Sequence, residues 1–341
     1  MESEAREFIR LTPKAEIHLH LEGSIDLDTL VRLIEKRAGP VRPEARRALA
    51  GLYRHRDFPD FLRHFRALCS ELREPEDFAL ITTDLCRRLQ RDGVLYAEVM
   101  CSPGIFEEAG IPIDEILDAV SRSARRYREL EGGPRLVILL DGIRQWGIEG
   151  MERVVEAAAA GRRSDVIGIG MGGDERSLPT AAFASVYREA RRLGLHTVIH
   201  AGEFDGPRSV WEAIDELEVE RVGHGVRSVE DHDLVAALAR RGIPLECCPT
   251  SNIMTGVVSS WECHPIRALH RAGVRVTVNS DDPAMFGTTL IDEWEALAGR
   301  LDLSAGEVLS IGLQTGRATF LPQEAKDALL DAMRAAAARA G

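Results

Sequence analysis

The sequence predicts an α/β fold, a (β/α)8 TIM barrel, and three observations carry that expectation. Eight short apolar segments alternate with helical stretches along the chain. The segments are nearly continuously hydrophobic, as strands of a parallel sheet buried on both faces must be. Polar side chains gather at or just beyond their C-terminal ends, the rim where such a barrel keeps its chemistry. At 341 residues the chain suits one domain, 1–341, since α/β barrels commonly reach this size undivided.

The first segment, KAEIHLHLEGSI (14–25), is of strand type. His18 and His20 stand two apart, so both imidazoles project to one face while Leu19 and Leu21 take the other. Residues 27–90 then read as a helical insertion after the first strand, far longer than an ordinary βα crossover. Within it Phe58, Phe61, Leu62, Phe65 and Leu68 recur at helical spacing, a stripe that packs on the core or covers a pocket as a lid. The other strands are expected over 94–100, 135–143, 165–173, 196–203, 220–225, 243–252 and 275–283. Helices are expected over 114–130, 149–160, 180–193, 208–217, 229–240 and 264–272, and in the C-terminal part. Glu98, Asp141, Asp174, Glu175, His200, Glu203, His224, Asn252, Asp281 and Asp282 all fall where these strands end.

Composition narrows the partners. Asp and Glu number 55 against 43 Lys and Arg, a net charge of −12, which disfavours a nucleic-acid or anionic-membrane surface. A small molecule is the partner expected; nothing in the sequence speaks to oligomeric state. The six cysteines form no CxxC pair, which fits a reducing compartment better than a disulfide framework. MESEAREFIRLTPK shows no apolar signal region and no run is long enough to span a bilayer, so a cytoplasmic location is expected.

Two imidazoles at one strand end make half of a metal site. His200 on the fifth strand, His224 on the sixth and Asp281 on the eighth are the candidates to complete it. Three imidazoles and a carboxylate with one open position describe a catalytic Zn2+ centre, and the same donors accept Fe2+ or Co2+. Such an ion polarises water and lowers its pKa. Glu203 reads either as a first-turn glutamate favoured by the helix dipole or as a general acid whose pKa burial has raised. Of Asp281 and Asp282, one can cap a helix that begins at Pro283 while the other binds. His196 lies at the wrong end of its strand for chemistry. His55, His64, His232, His264 and His270 read as surface or capping groups, and Cys247 and Cys248 as core.

HLHLEG at 18–23, HAGE at 200–203, GHG at 223–225, CPTSN at 248–252 and SDDP at 280–283 stand in the order seen in the adenosine deaminase family, which this chain resembles over nearly its whole length. The resemblance implies a barrel enzyme that replaces the 6-amino group of a purine with oxygen and releases ammonia. It implies His18, His20, His200 and Asp281 as metal ligands, with Glu203, His224 and Asp281 catalytic. Glu203 would protonate N1, and His224 would orient the attacking water. Asp282 would bond N7, the Gly173 N–H would meet N3, His20 and Glu22 would border the substrate, and the helix bearing Phe61 and Phe65 would be the lid.

Two departures bear on substrate. Glu22 replaces the Asp of adenosine-specific HxHLDG motifs, and Gly170 replaces the Asp of a GxDLxGxE segment. The expected substrate is adenosine or 2′-deoxyadenosine, with aminodeoxyfutalosine and then adenine as alternatives. A binuclear amidohydrolase is the competing class; the bridging carboxylated lysine common there is missing from DVIGIGMGGDE (165–175). A purine-binding barrel without activity is a third reading, disfavoured because every ligand and the acid are present.

Overall fold

The computed structural model describes residues 2–106, 110–160 and 165–340. Eight parallel strands follow one another in chain order: β1 Lys14–His20, β2 Val94–Cys101, β3 Arg135–Ile143, β4 Val166–Gly172, β5 His196–Ala201, β6 Arg221–His224, β7 Leu245–Cys247 and β8 Val276–Val278. The ring closes where β8 runs on to meet β1. His20 N–H donates to Asp281 O at 2.8 Å and Asp281 N–H to His18 O at 3.2 Å. The seam of the barrel is therefore made by residues expected to bind a metal.

Alternation along the strands sorts the side chains. Outward-facing residues join one large apolar core under the surrounding helices. Met100, Leu139 and Val198 share parity with Glu98, Asp141 and His200 and form a separate small cluster, all fully buried. Arg221, 1% exposed, lies beside them. Its guanidinium donates to Glu98 Oε2 and Glu246 Oε1, each at 2.5 Å, and to Ala318 O at 2.8 Å. It also stacks 3.7 Å from the Phe320 ring centroid. Glu98 is thus not a rim residue as expected, but a buried partner of Arg221 inside the barrel. His196 stacks on the other side of Phe320 and pairs with Glu220, a structural role at the end away from the rim.

Between β1 and β2 come the helices Leu27–Ala38, Pro43–Leu49, Phe58–Cys69 and Pro75–Arg91. Asp57 caps the third by accepting from Asp60 N–H, which fixes where the aromatic stripe begins. That helix spans two rim loops: the Phe58 ring lies 4.1 Å from Phe204, past β5, and Phe61 stacks 5.0 Å from Phe286, past β8. His55, expected at the surface, is half-buried and donates from Nε2 to Met285 O at 3.1 Å.

The last two strands are shorter than their apolar runs suggest. β7 stops at Cys247 and Pro249 opens the helix Pro249–Met254; β8 stops at Val278 and Pro283 opens Pro283–Phe286. Proline has a fixed φ and no N–H, so it suits a first helical turn and ends ladder pairing. Asn252 therefore sits on a helix, not at a strand end. Asp282 occupies a cap position, but its side chain makes no capping bond.

Candidate active site

His18, His20, His200 and Asp281 each present one ligand atom, and these atoms lie within 4.8 Å of one another. The donor set fits a metal on its own geometry. His20 Nε2 faces His200 Nε2 at 3.3 Å, and Asp281 Oδ1 stands 3.4 Å from both His18 Nε2 and His20 Nε2. Nitrogens crowded against each other around one carboxylate oxygen are satisfied together by a cation, and poorly by their own protons. Two rings are aimed from behind: Glu246 Oε2 meets His18 Nδ1 at 2.8 Å, and Met171 O meets His200 Nδ1 at 2.9 Å. Such outer partners fix the tautomer that offers Nε2 to the ion. Cys248, expected as plain core, shares a second, overlapping group with His18, His224 and Asp281; its thiol also approaches Glu246 O at 3.5 Å.

Two residues of the rim are held under backbone strain. His224 and Asp281 have φ of 56° and 63°, the left-handed region that costs a non-glycine residue about 1–3 kcal/mol. Gly173 has φ of 92°, and a Cβ there would lie 2.3 Å from Gln145 Oε1, so only glycine exposes its N–H at this turn.

Glu203 is buried beside His224, whose Nε2 is 3.7 Å from Glu203 Oε2 and 3.9 Å from Asp281 Oδ2. Burial, reinforced by the Asp281 and Glu175 charges, holds the Glu203 carboxyl well above its ordinary value. Its loop is clamped by Glu175, which accepts from Gly202, Glu203, Phe204 and Asp205 N–H and from Ser209 Oγ at 2.5–3.0 Å. Sequence reasoning left Glu175 without a partner because these donors lie 27 to 34 positions away.

A relay sets the proton on His224. Ile266 N–H donates to His264 Nδ1 at 3.2 Å, so His264 carries its proton on Nε2 and donates to Asn252 Oδ1 at 3.3 Å. The Asn252 amide nitrogen then donates to His224 Nδ1 at 3.2 Å, leaving His224 with an N–H on Nε2, facing Glu203. Burial pushes the His224 imidazole down to about 3, so it is neutral and this tautomer is the one presented. His264, expected as a surface or capping group, is buried. Asn252→Asp would put an acceptor against Nδ1 and turn Nε2 into an acceptor. Steady-state kinetics should show kcat/KM down about 10- to 100-fold, the range for outer partners, with metal content unchanged.

All of this opens into a cavity of about 940 Å3 lined by His20, His200, Glu203, His224, Asp281, Asp282, Gly173, Phe61 and Phe65 among others. Glu22 is the exception among the expected substrate contacts. It is fully buried and lies outside the lining, its Oε1 accepting from Ser102 N–H at 3.0 Å. The Glu22 carboxyl meets the chain at the end of β2, at Cys101 and Ser102, and Ser102 lines the cavity there.

A barrel whose rim gathers three imidazoles and a carboxylate beside a buried acid defines a metal-dependent hydrolase of the amidohydrolase type. The adenosine deaminase family pattern matches residues 13–336, and the chain belongs to that family, whose members are deaminases acting on C–N bonds of purines. It is 37% identical over 321 residues to an aminodeoxyfutalosine deaminase from Streptomyces avermitilis, covering 94% of this chain and 89% of that one. Among solved structures it matches an adenine deaminase from Arthrobacter aurescens at 30% identity and TM-score 0.90, over 95% of this chain and 98% of that one. It also matches an amidohydrolase from Burkhoderia ambifaria, solved with bound Zn, at 26% identity and TM-score 0.89, over 98% and 93%. Among the described residues no helix is long and apolar enough to cross a membrane.

Proposed function

We propose that this protein hydrolyses the 6-amino group of a purine compound: a water oxygen joins C6, the C6–N bond breaks and ammonia leaves. The observation that carries this reading is the meeting of the four-residue donor set, the buried Glu203 and the His224 N–H on one cavity wall. The donor set is read as a Zn2+ site, with Fe2+ or Co2+ as acceptable substitutes. An ion bound there supplies Lewis-acid polarisation and a lowered water pKa.

The chain's own groups do the rest. Glu203, kept protonated by burial, gives its proton to N1 as C6 becomes tetrahedral, so charge that would gather on N1 is removed where it develops. His224 orients the attacking water through its Nε2–H. Asp282, held well above the ordinary carboxylate range by burial and by Asp281, is an O–H donor for N7. The Gly173 N–H donates to N3. Phe61 and Phe65 cover the cavity and exclude bulk water, which strengthens each of these contacts.

The cavity volume, about 940 Å3, stands at the upper end of the ~300–1000 Å3 common for small-molecule sites. Arg66, Arg73 and Arg153 share its lining with the lid phenylalanines. This favours a purine with a sizeable N9 substituent, and similarity to a relative named for aminodeoxyfutalosine supports reading that compound ahead of adenosine. The adenine deaminase likeness favours the free base as the second reading. Ammonia release from adenosine, 2′-deoxyadenosine, adenine and aminodeoxyfutalosine, compared by kcat/KM, tests both. The 5′-extended nucleoside should be fastest; adenine fastest would move the reading to the base, and no ammonia from any purine would end it.

A further inference from the structure

Asp141, on β3, lines the cavity and is 1% exposed. Its Oδ2 accepts from Ser102 Oγ at 3.3 Å, and Ser102 is held in turn by the Glu22 carboxylate. Its Oδ1 has no hydrogen-bond partner among the described residues. A buried carboxyl oxygen left unpaired is costly, and a site tolerates one where a ligand completes it.

The backbone of β4 is cut away around this group. A Cβ at Gly170 would lie 2.7 Å from Asp141 Oδ1, and one at Gly172 would lie 3.2 Å from Oδ2. Gly170 is the position at which the resembling family pattern carries Asp. In this chain the carboxyl enters the same space from the neighbouring strand, and the space at 170 is what admits it.

The direction of a bound purine follows from the deaminase reading, on which this inference rests. N1 lies at Glu203 past β5, N3 at Gly173 past β4 and N7 at Asp282 past β8. The N9 corner then faces the arc from β1 to β3, with the N3–N9 edge spanning β4 and β3. Asp141 and Ser102 stand on that arc.

We propose that Asp141 is a specificity-determining residue whose Oδ1 accepts a hydrogen bond from a donor on the N9 side of the substrate. The donor is N9–H for a free base or a sugar hydroxyl for a nucleoside; both are the same chemistry at the same atom. Ser102 and Glu22 act through Asp141 by fixing its carboxyl plane.

Asp141→Ala and Gly170→Ala test this together, the first deleting the carboxyl and the second displacing it without removing it. Each variant is measured on the preferred purine and on its counterpart without the donor: 9-methyladenine for adenine, 2′,3′-dideoxyadenosine for a nucleoside. Where the counterpart turns over slowly, its inhibition constant is compared instead. Both variants should lose about 10- to 100-fold in kcat/KM on the donor-bearing compound. The counterpart should change by less than about 3-fold, a difference too small for a lost buried hydrogen bond, with metal per chain unaltered. Equal loss on both compounds, no loss on either, or loss of metal overturns the proposal. A wild-type protein that deaminates while Asp141→Ala loses equally on both compounds sinks this inference alone; a wild type that deaminates nothing sinks the function with it.

Discussion

Glu203→Gln should fold, keep its metal and lose about 10²- to 10⁴-fold in kcat, the range for removal of a positioned general acid. The amide is nearly the same shape, and Glu203 N–H bonds to Glu175 rather than to its own side chain, so the loop stays clamped. What is lost is the transferable proton at N1. The pH profile carries the second signature. Burial holds the Glu203 carboxyl well above its ordinary value, so the active, protonated form persists into neutral pH and is lost as pH rises through the shifted value. The alkaline fall in kcat should therefore disappear in Glu203→Gln. A variant that retains full turnover, or that keeps the same alkaline limb, would remove Glu203 from the acid role.

Much of this was legible in the sequence because the signals are local. His18 and His20 declare themselves by strand alternation, and near-continuous apolar runs such as RLVILLDGI mark strands buried on both faces; Leu136 to Gly142 of that run are buried. Strand ends were less legible. Pro249 and Pro283 convert the last residues of two apolar runs into helix starts, and polarity alone does not reveal that switch. Least legible were the groups that act through others. Glu246 meets His18 across 228 positions and Arg221 meets Glu98 across 123, distances over which no periodicity survives. Glu98 looked like a rim residue because it was taken to fall at a strand end, but β2 runs on to Cys101 and Glu98 lies deeper in the barrel, where it meets Arg221. Glu22 reads as a substrate contact from its motif, while the structure engages its carboxyl with the Ser102 N–H at the end of β2. His264 carried no signal beyond its residue type, and Asn252 none of its role beyond its place in CPTSN; the chain of contacts from His264 through Asn252 to His224 gives them one.

Removing the metal should have the largest effect of all. The charges around Asp281 are arranged for a cation: three imidazoles converge on it, and His18 and His200 are tied from behind by Glu246 and the Met171 carbonyl. Without an ion, none of the described lining residues is a Lewis acid for the water, so turnover should fall to background while the hydrophobic core keeps the barrel folded. Chelator-treated protein should regain activity on titration with Zn2+, reaching a plateau at one equivalent per chain. A plateau at two equivalents would instead favour a binuclear amidohydrolase. The most direct measurement is therefore elemental analysis of the purified protein alongside its ammonia release before and after chelation. One ion per chain, with deamination lost and restored in step with it, is the expected result; undiminished deamination by folded protein that holds no ion would contradict it.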